Sequence, residues 1–571
     1  MTWLEKVQLV SHVLYWRFTW SRRHLDYKPG KTVSKKFISA REAARLFPDG
    51  ATVFSSGIGG NARCTIFFFA LRNRFQTSGH PNGLTWVNGG GQGSRGRVPG
   101  TVEEMGIPGL MKTYLAAHLE TTKAQLRLGQ ARQLELHTIP QGVMSLLLEA
   151  NGMGEQSLTT KVGLGTFLDP RSGRGSLVNP PGSTPSFVEA DGDALRYTLP
   201  PIDIALMNVP YADEEGNLYF KHAATITENI PSIQAVRQNK GLVMASVSGI
   251  IPKSPGEISI PAQDVDYIVV NPYNEQSASV LQRNYWPLFT PEGTGDRKKG
   301  VQRLKFINNL LKITPVRSPL DQIMGRLAAS IMVREVPKGG MVNIGIGFPE
   351  EVARLLVEHG LEEDYLFTTE AGSYGGLPAP GIFFGAAVNP QHLEPSSDMF
   401  HRYQTDLDVA VLGFLQVDSE GNVNVSKRGP DITDYVGPGG FMDITSGAHT
   451  IVFIGKWMHN AQFQVEGDEV HLLRPGKPKF VEEVDEITFN GREGVKAGKN
   501  IYYVTNVGLF QLTAEGLTLR AVFPGIDVGK DILMQSKAHI VVPPAGQIEV
   551  IDGGIVSGKG FRLEQEMREY A

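Results

Sequence analysis

Short apolar runs separated by longer polar, helix-forming stretches dominate the chain. Runs at 202–207 (IDIALM), 241–247 (GLVMASV), 265–270 (VDYIVV), 407–414 (LDVAVLGF) and 450–455 (TIVFIG) are nearly continuous rather than alternating. Strands buried on both faces of a parallel sheet have this pattern, whereas half-exposed strands alternate with period two. The intervening stretches read as helices covering the sheets, so the pattern predicts an α/β fold. In such folds ligands bind at the carboxyl ends of the strands.

Two stretches recur at matched positions. Residues 202–218 (IDIALMNVPYADEEGNL) align with 407–423 (LDVAVLGFLQVDSEGNV). Asp203, Ala205, Asp213, Glu215, Gly216 and Asn217 then face Asp408, Ala410, Asp418, Glu420, Gly421 and Asn422 at one constant offset. Upstream, 39–60 (SAREAARLFPDGATVFSSGIGG) and 327–349 (LAASIMVREVPKGGMVNIGIGFP) share the order helix, turn, strand, glycine loop. Two echoes in the same order predict two tandem, related open α/β domains arising from duplication. The expected boundaries are 36–289 and 320–571, joined by a linker at 290–319 rich in charge, Gly and Pro.

Residues 1–35 stand apart. Trp3, Val7, Val10, Leu14 and Phe18 form a helical stripe followed by Arg22 and Arg23. This predicts an amphipathic extension docked on its own protein or on a partner subunit, the alternative being a targeting or membrane-surface helix.

Composition narrows the class. The 571 residues exceed one core, and 41% apolar with 20% charged residues is ordinary for a globular protein. A net charge of −4 argues against nucleic acid as the main partner. The single cysteine, Cys64, rules out an internal disulfide, and no apolar run approaches an integral membrane span. No P-loop, HExxH, CxxC or EF-hand pattern occurs, so no metal is expected. Gly91, Gly93 and Gly96 form a literal GxGxxG, but Val98-Pro99-Gly100 stands where a phosphate-binding helix should begin. Ser56 and Ser373 lack a GxSxG setting.

One carboxylate is oddly placed. In 367–378 (FTTEAGSYGGLP), Glu370 ends an apolar strand and is followed by Gly372, Gly375 and Gly376. Such glycines permit close backbone approach, and their N–H groups can converge on an anion. A carboxylate there is either a surface loop residue or a nucleophile toward an acyl carbon beside an oxyanion site.

The segment EAGSYGG, followed by GIFFGAAVNP (381–390) and VDSEGNVNVSKRGPDITDYVGPGGFMDIT (417–445), resembles the class I acyl-CoA:carboxylate CoA-transferases, in particular the single-chain propionate/acetate/acetoacetate type with fused halves. IPQGV (139–143), VGLGTFLDPR (162–171) and VFPGIDVGKDIL (522–533) extend the resemblance over roughly residues 36–540. It implies Glu370 as the covalent nucleophile. It further implies that Gly345, Ile346, Gly347, Phe348 and Pro349 lie along the CoA, and that Gly439 and Gly440 close over its thiol end. Gln141 is implied near the substrate carboxylate, with backbone N–H groups around Gly57, Gly59 and Gly60 as oxyanion donors from the first half. The active site is then expected between the halves. The sequence departs from the family at 403–406 (YQTD), where members often carry glycines, and at the bulky Phe383.

The implied reaction moves CoA between a short-chain acyl-CoA and a free carboxylate by a ping-pong route through a glutamyl-CoA thioester. Coenzyme A is then a substrate and covalent intermediate, and no tightly bound cofactor is expected. Two rivals are an acyl-CoA hydrolase on the same scaffold and a non-catalytic acyl-CoA sensor. A homo-oligomer, dimer or tetramer, is expected in the cytoplasm, or in an organellar matrix if the source is eukaryotic.

Overall fold

The structure is a computed structural model. It describes all residues except 31–32, 95–97, 181, 274–285, 313, 315, 545 and 564–571. Gly96 of the GxGxxG pattern therefore lies outside the described residues.

The first half is built on a sheet whose central strands are parallel. β1 (Thr52–Ser55) is flanked by β2 (Leu84–Asn88), followed outward by β3 (Met111–Ala116) and β4 (Glu135–His137). On its other side lie β5 (Ile204–Ala212), β6 (Leu242–Ile250) and β7 (Tyr267–Val270). α1 (Trp3–Thr19) precedes this sheet, while α2 (Gln141–Gly152) and α3 (Asn229–Gln238) cover it. The near-continuous apolar runs are explained by burial on both sides: Val53, Leu206 and Met244 belong to one core, and Phe54, Ala205 and Val243 to the other.

The second half repeats the plan. β8 (Met341–Ile344) lies between β9 (Leu366–Thr369) and β10 (Leu407–Gly413), with β11 (Thr450–Ile454) and β12 (Asn500–Val504) beyond. These five strands are parallel, and an antiparallel meander of β13 (Gly508–Thr513) and β14 (Gly516–Val522) extends the sheet. Between the sheets the chain forms α4 (Arg297–Leu310) and α5 (Pro319–Glu335); α6 (Glu350–His359) follows β8, and α7 (Phe441–Gly447) precedes β11.

Specific bonds carry the duplication. Asp203 Oδ2 accepts from Thr52 N at the start of β1 (2.8 Å), and Asp408 Oδ2 accepts from Met341 N at the start of β8 (2.7 Å). Asp213 Oδ1 collects the N–H groups of Glu215, Gly216 and Asn217, and Asp418 Oδ1 those of Glu420 and Asn422. The repeated aspartates thus staple a central strand and close an Asx-type turn, uses that depend on a short acceptor side chain.

α1 starts at a capping box in which Thr2 Oγ1 accepts from Glu5 N (3.2 Å) and Thr2 N donates to Glu5 (2.7 Å). It docks on α4, but through Leu9, Val13 and Trp16, not through the stripe singled out from the sequence. Trp3, Val7, Leu14 and Phe18 face outward, and Val10 is half-buried. The helix is apolar on two sides, so periodicity alone does not decide which side turns inward.

Candidate active site

Glu370 is the first residue after β9, at the carboxyl end of a strand, and opens into a cavity of about 490 Å³. Ile58, Gly90, His118, Thr121 and Gln141 of the first half wall this cavity opposite Glu370, Asn343, Gly385, Gly439 and Gly440 of the second. The turn after Glu370 requires glycine: Gly372 has φ +94°, and a Cβ there would come within 1.8 Å of the Glu394 carbonyl oxygen. Glu370 has no ion-pair partner among the described residues, and burial raises its pKa above the usual carboxylate range. Beneath it, the fully buried Tyr403 of the divergent 403–406 segment donates to Thr368 Oγ1 (3.1 Å) and accepts from Asn343 Nδ2 (3.0 Å).

The loop at 437–440 is held by the first half. Gly439 N donates to the Ala117 carbonyl (2.8 Å), and Gln141 N donates to the Gly439 carbonyl (2.9 Å). Gly440 lies against the nucleophile candidate: a Cβ there would be 3.0 Å from Glu370 Oε1. Next to it, Asp443 reaches across the halves to cap α2, whose own N-cap position is Pro140 and has no side-chain acceptor. Asp443 Oδ2 accepts from Gly142 N and Oδ1 from Val143 N, both at 2.9 Å. Burial raises the Asp443 pKa to about 7, the two N–H donors pull against it, and the charge of Glu370 adds to the rise. The capped helix begins with Gln141, whose amide Nε2 is buried on the cavity wall without a hydrogen-bond partner among the described residues. An unpaired buried donor is costly unless a ligand accepts from it.

Gly345 and Ile346 line the cavity, whereas Gly347, Phe348 and Pro349 do not. Those three turn the chain into α6: Gly347 N donates to Glu350 Oε1 (3.1 Å) and Phe348 lies under the Arg317 guanidinium (5.1 Å). None of the first-loop glycines Gly57, Gly59 and Gly60 lies on the cavity wall. Gly59 N–H is taken by the Gly91 carbonyl (2.8 Å), and Gly57 lies beside the buried Glu228 carboxylate. The loop walls the site through Ile58 and docks on the second half through Asn61 Nδ2, which donates to the Phe384 carbonyl (2.8 Å).

Glu228 was not legible as a site residue. Sheet register makes Gly89, the first residue after β2, the counterpart of Glu370, because Thr52 pairs with Thr85 as Met341 pairs with Leu366. Glu228 is the N-cap position of α3, as Gly440 is of α7. A Cβ on Gly89 would be 2.7 Å from Glu228 Oε1. Each half thus sets a glutamate against a glycine at the same place, with the two positions exchanged. In the first half the carboxylate is sealed in; in the second it opens into the cavity.

Among known proteins, the family described as Coenzyme A transferase matches residues 37–271. Caffeate CoA-transferase of Acetobacterium woodii is 33% identical over 546 residues, spanning 93% of this chain and 99% of that protein. The chain belongs to the coenzyme A transferase family. Acetate CoA-transferase YdiF of Escherichia coli K12 is 29% identical over 519 residues, 89% of this transferase and 93% of that protein. The crystal structure of the acyl-CoA transferase YdiF apoenzyme from E. coli O157:H7 superposes with a TM-score of 0.78 at 27% identity, covering 93% of this chain and 98% of that one. Its thioester complex with CoA gives 0.79 at 26% identity, with the same coverage. The transferase is therefore an α/β enzyme of duplicated, fused halves. No helix among its described residues is long and apolar enough to cross a membrane.

Burial raises the Glu228 pKa from 4.5 to about 7. Between roughly pH 4.5 and 7 the folded state therefore holds a proton that the unfolded chain has released, and stability from this group is lost as pH rises. Glu228→Gln removes the titration. Its stability relative to wild type is expected to rise across that window by up to about 3 kcal/mol, read as a widening Tm difference in calorimetry. A Tm difference that stays flat from pH 5 to 8 contradicts this assignment.

Proposed function

We propose that this transferase moves CoA between an acyl-CoA and a free carboxylate through a covalent glutamyl-CoA thioester on Glu370. The observation that carries the reading is the unpaired Glu370 carboxylate opening into a cavity walled by both halves. In this reading residues 36–289 and 320–571 are the two catalytic halves, and the segment 290–319 between them contributes α4.

A Glu370 oxygen attacks the donor thioester carbonyl; the C–S bond breaks, leaving a mixed anhydride and CoA thiolate. The thiolate attacks the Glu370 carbonyl carbon, the anhydride C–O bond breaks, and the donor acid departs as its carboxylate. The acceptor carboxylate runs these steps in reverse, so one thioester is exchanged for another and no ATP is consumed. Desolvation by the cavity makes Glu370 more basic, which favours attack. The free Gln141 amide is suited to hold a carbonyl oxygen or substrate carboxylate, taking the role first sought in the N–H groups of the Gly57–Gly60 loop. Gly440 leaves room beside Glu370 for the thioester sulfur, and Gly345 and Ile346 flank the path to it. Binding of the long CoA tail supplies positioning energy at the reacting centre.

Initial-rate kinetics test the route. Double-reciprocal plots at several acceptor concentrations are expected to be parallel, and a donor acyl-CoA should exchange with its own labelled acid when no second acid is present. Intersecting lines with no such exchange exclude the covalent route. Release of free CoA without an acceptor acid identifies a hydrolase, and binding without turnover a sensor. A panel of short-chain acids together with caffeate, which the name of one relative specifies, assigns the acyl preference. Light scattering tests the proposed homo-oligomer.

A further inference from the structure

The outward face of α1 is not explained by the fold. Trp3 (76% exposed), Leu4 (61%), Val7 (39%), Leu14 (51%), Tyr15 (59%) and Phe18 (82%) all point to solvent. At 3.6 residues per turn these six side chains fall in one stripe about 120° wide. The opposite side of the helix is already buried on α4 through Leu9, Val13 and Trp16. A surface helix ordinarily has one apolar side; a second contiguous apolar face marks an interface.

We infer that this face docks on an anionic lipid surface. Lys6 and Arg17 border the stripe on one edge, Arg17 with its guanidinium over the Trp20 ring (3.6 Å), and Arg22 follows the helix end, while Arg23 turns back over Phe69 (4.2 Å). Over residues 3–23 four basic residues stand against the single acid Glu5, a balance of +3 in a chain whose total is −4, leaving −7 for the rest. Glu5 is turned away, bonded into the capping box and 3.9 Å from Arg303 on α4. Basic flanks beside Trp, Tyr, Phe and Leu are what a helix lying in a headgroup layer needs: the rings enter the acyl boundary and the cations meet phosphate. Charge disfavours a second copy of the same face as the occupant. Antiparallel pairing sets Lys6 against Arg17, parallel pairing sets like residues together, and no acidic residue on the stripe offsets either.

The opposite face of α4 lines the cavity with Lys298, Val301, Gln302 and Lys305. Docking through α1 therefore brings the CoA cavity to within one helix layer of the surface, a spacing of about 8–10 Å between helix axes.

Flotation of the full chain with vesicles tests the inference. Wild type is expected to bind vesicles of mixed phosphatidylglycerol and phosphatidylcholine strongly and vesicles of phosphatidylcholine alone weakly. The double variant Trp3→Ser/Phe18→Ser should lose at least about tenfold in affinity, since two large rings no longer enter the interface. Arg17→Glu/Arg22→Glu should lose roughly fivefold per removed positive charge, on the anionic vesicles only. Both variants change exposed side chains, so unaltered circular dichroism, Tm and CoA transfer in solution are expected alongside. Absence of wild-type binding to anionic vesicles overturns the inference, as does equal binding by the variants. Dissociation of an oligomer by Trp3→Ser/Phe18→Ser in light scattering also overturns it, assigning the face to a second copy.

Discussion

Glu370→Gln is expected to fold normally and to lose CoA transfer by roughly ten-thousandfold or more, the loss typical when a covalent nucleophile is removed. The amide is nearly isosteric, and Glu370 has no ion pair among the described residues whose loss would disturb the fold. A neutral amide oxygen is a far weaker nucleophile, so the first bond to the acyl carbon does not form. Trapping separates this from a binding defect. Borohydride reduces a thioester but leaves a carboxylate untouched. Wild-type enzyme incubated with an acyl-CoA donor should therefore be inactivated by the reagent, and enzyme incubated with a free acid alone should not. Peptide mass spectrometry should find the side chain of residue 370 converted to an alcohol. Modification at Glu350, Glu351 or any other carboxylate would show that the nucleophile is elsewhere. The acid limb of the pH–rate profile carries a second signature. Attack needs the ionised carboxylate, and burial raises the Glu370 pKa, so kcat/KM should fall on acidification at a pH above that of an ordinary glutamate.

The second large effect is expected at Asp443, which touches no reacting atom but holds two parts of the site in register. Its carboxylate closes the N-terminus of α2 with two bonds of 2.9 Å, and that helix begins at Gln141. Asp443→Ala leaves two buried N–H groups unpaired, at a cost of about 1–3 kcal/mol each, and frees the Gln141 end of the helix from the Gly439–Gly440 loop. Turnover should drop by about a hundredfold, a size that a displacement of one ångström at a reacting centre can produce. Asp443→Asn keeps one acceptor and should fall between alanine and wild type. The diagnostic readout is the balance of parameters. A positioning role lowers kcat more than it raises KM for the CoA substrate, while a purely structural role lowers Tm and leaves kcat per folded molecule unchanged. A fall in Tm alone would remove Asp443 from the site.

The sequence by itself determined what rests on local chemistry. Strand runs buried on both faces, the Asp-to-Asn turns closed by Asp213 and Asp418, and the paired glycine loops announce a duplicated α/β chain because each depends on neighbours a few residues away. The strand-end position of Glu370 and the glycine at 372 were legible for the same reason: a left-handed turn pressed against a carbonyl oxygen restricts residue choice locally. Expectations that depended on distant partners were revised. The Gly59 N–H looked free, yet the Gly91 carbonyl accepts it, and none of Gly57, Gly59 and Gly60 reaches the cavity wall. The stripe on α1 looked like a docking face, yet packing against α4 selected Leu9, Val13 and Trp16 instead. Asp443 carried no signal, because its partners at 142 and 143 come from the other half. The exchange of glutamate and glycine between Gly89–Glu228 and Glu370–Gly440 is likewise invisible along the chain. Only close packing decides which of two related carboxylates is sealed away from water and which faces the cavity, because burial and hydrogen-bond supply are properties of the assembled core, not of the segment that carries the residue.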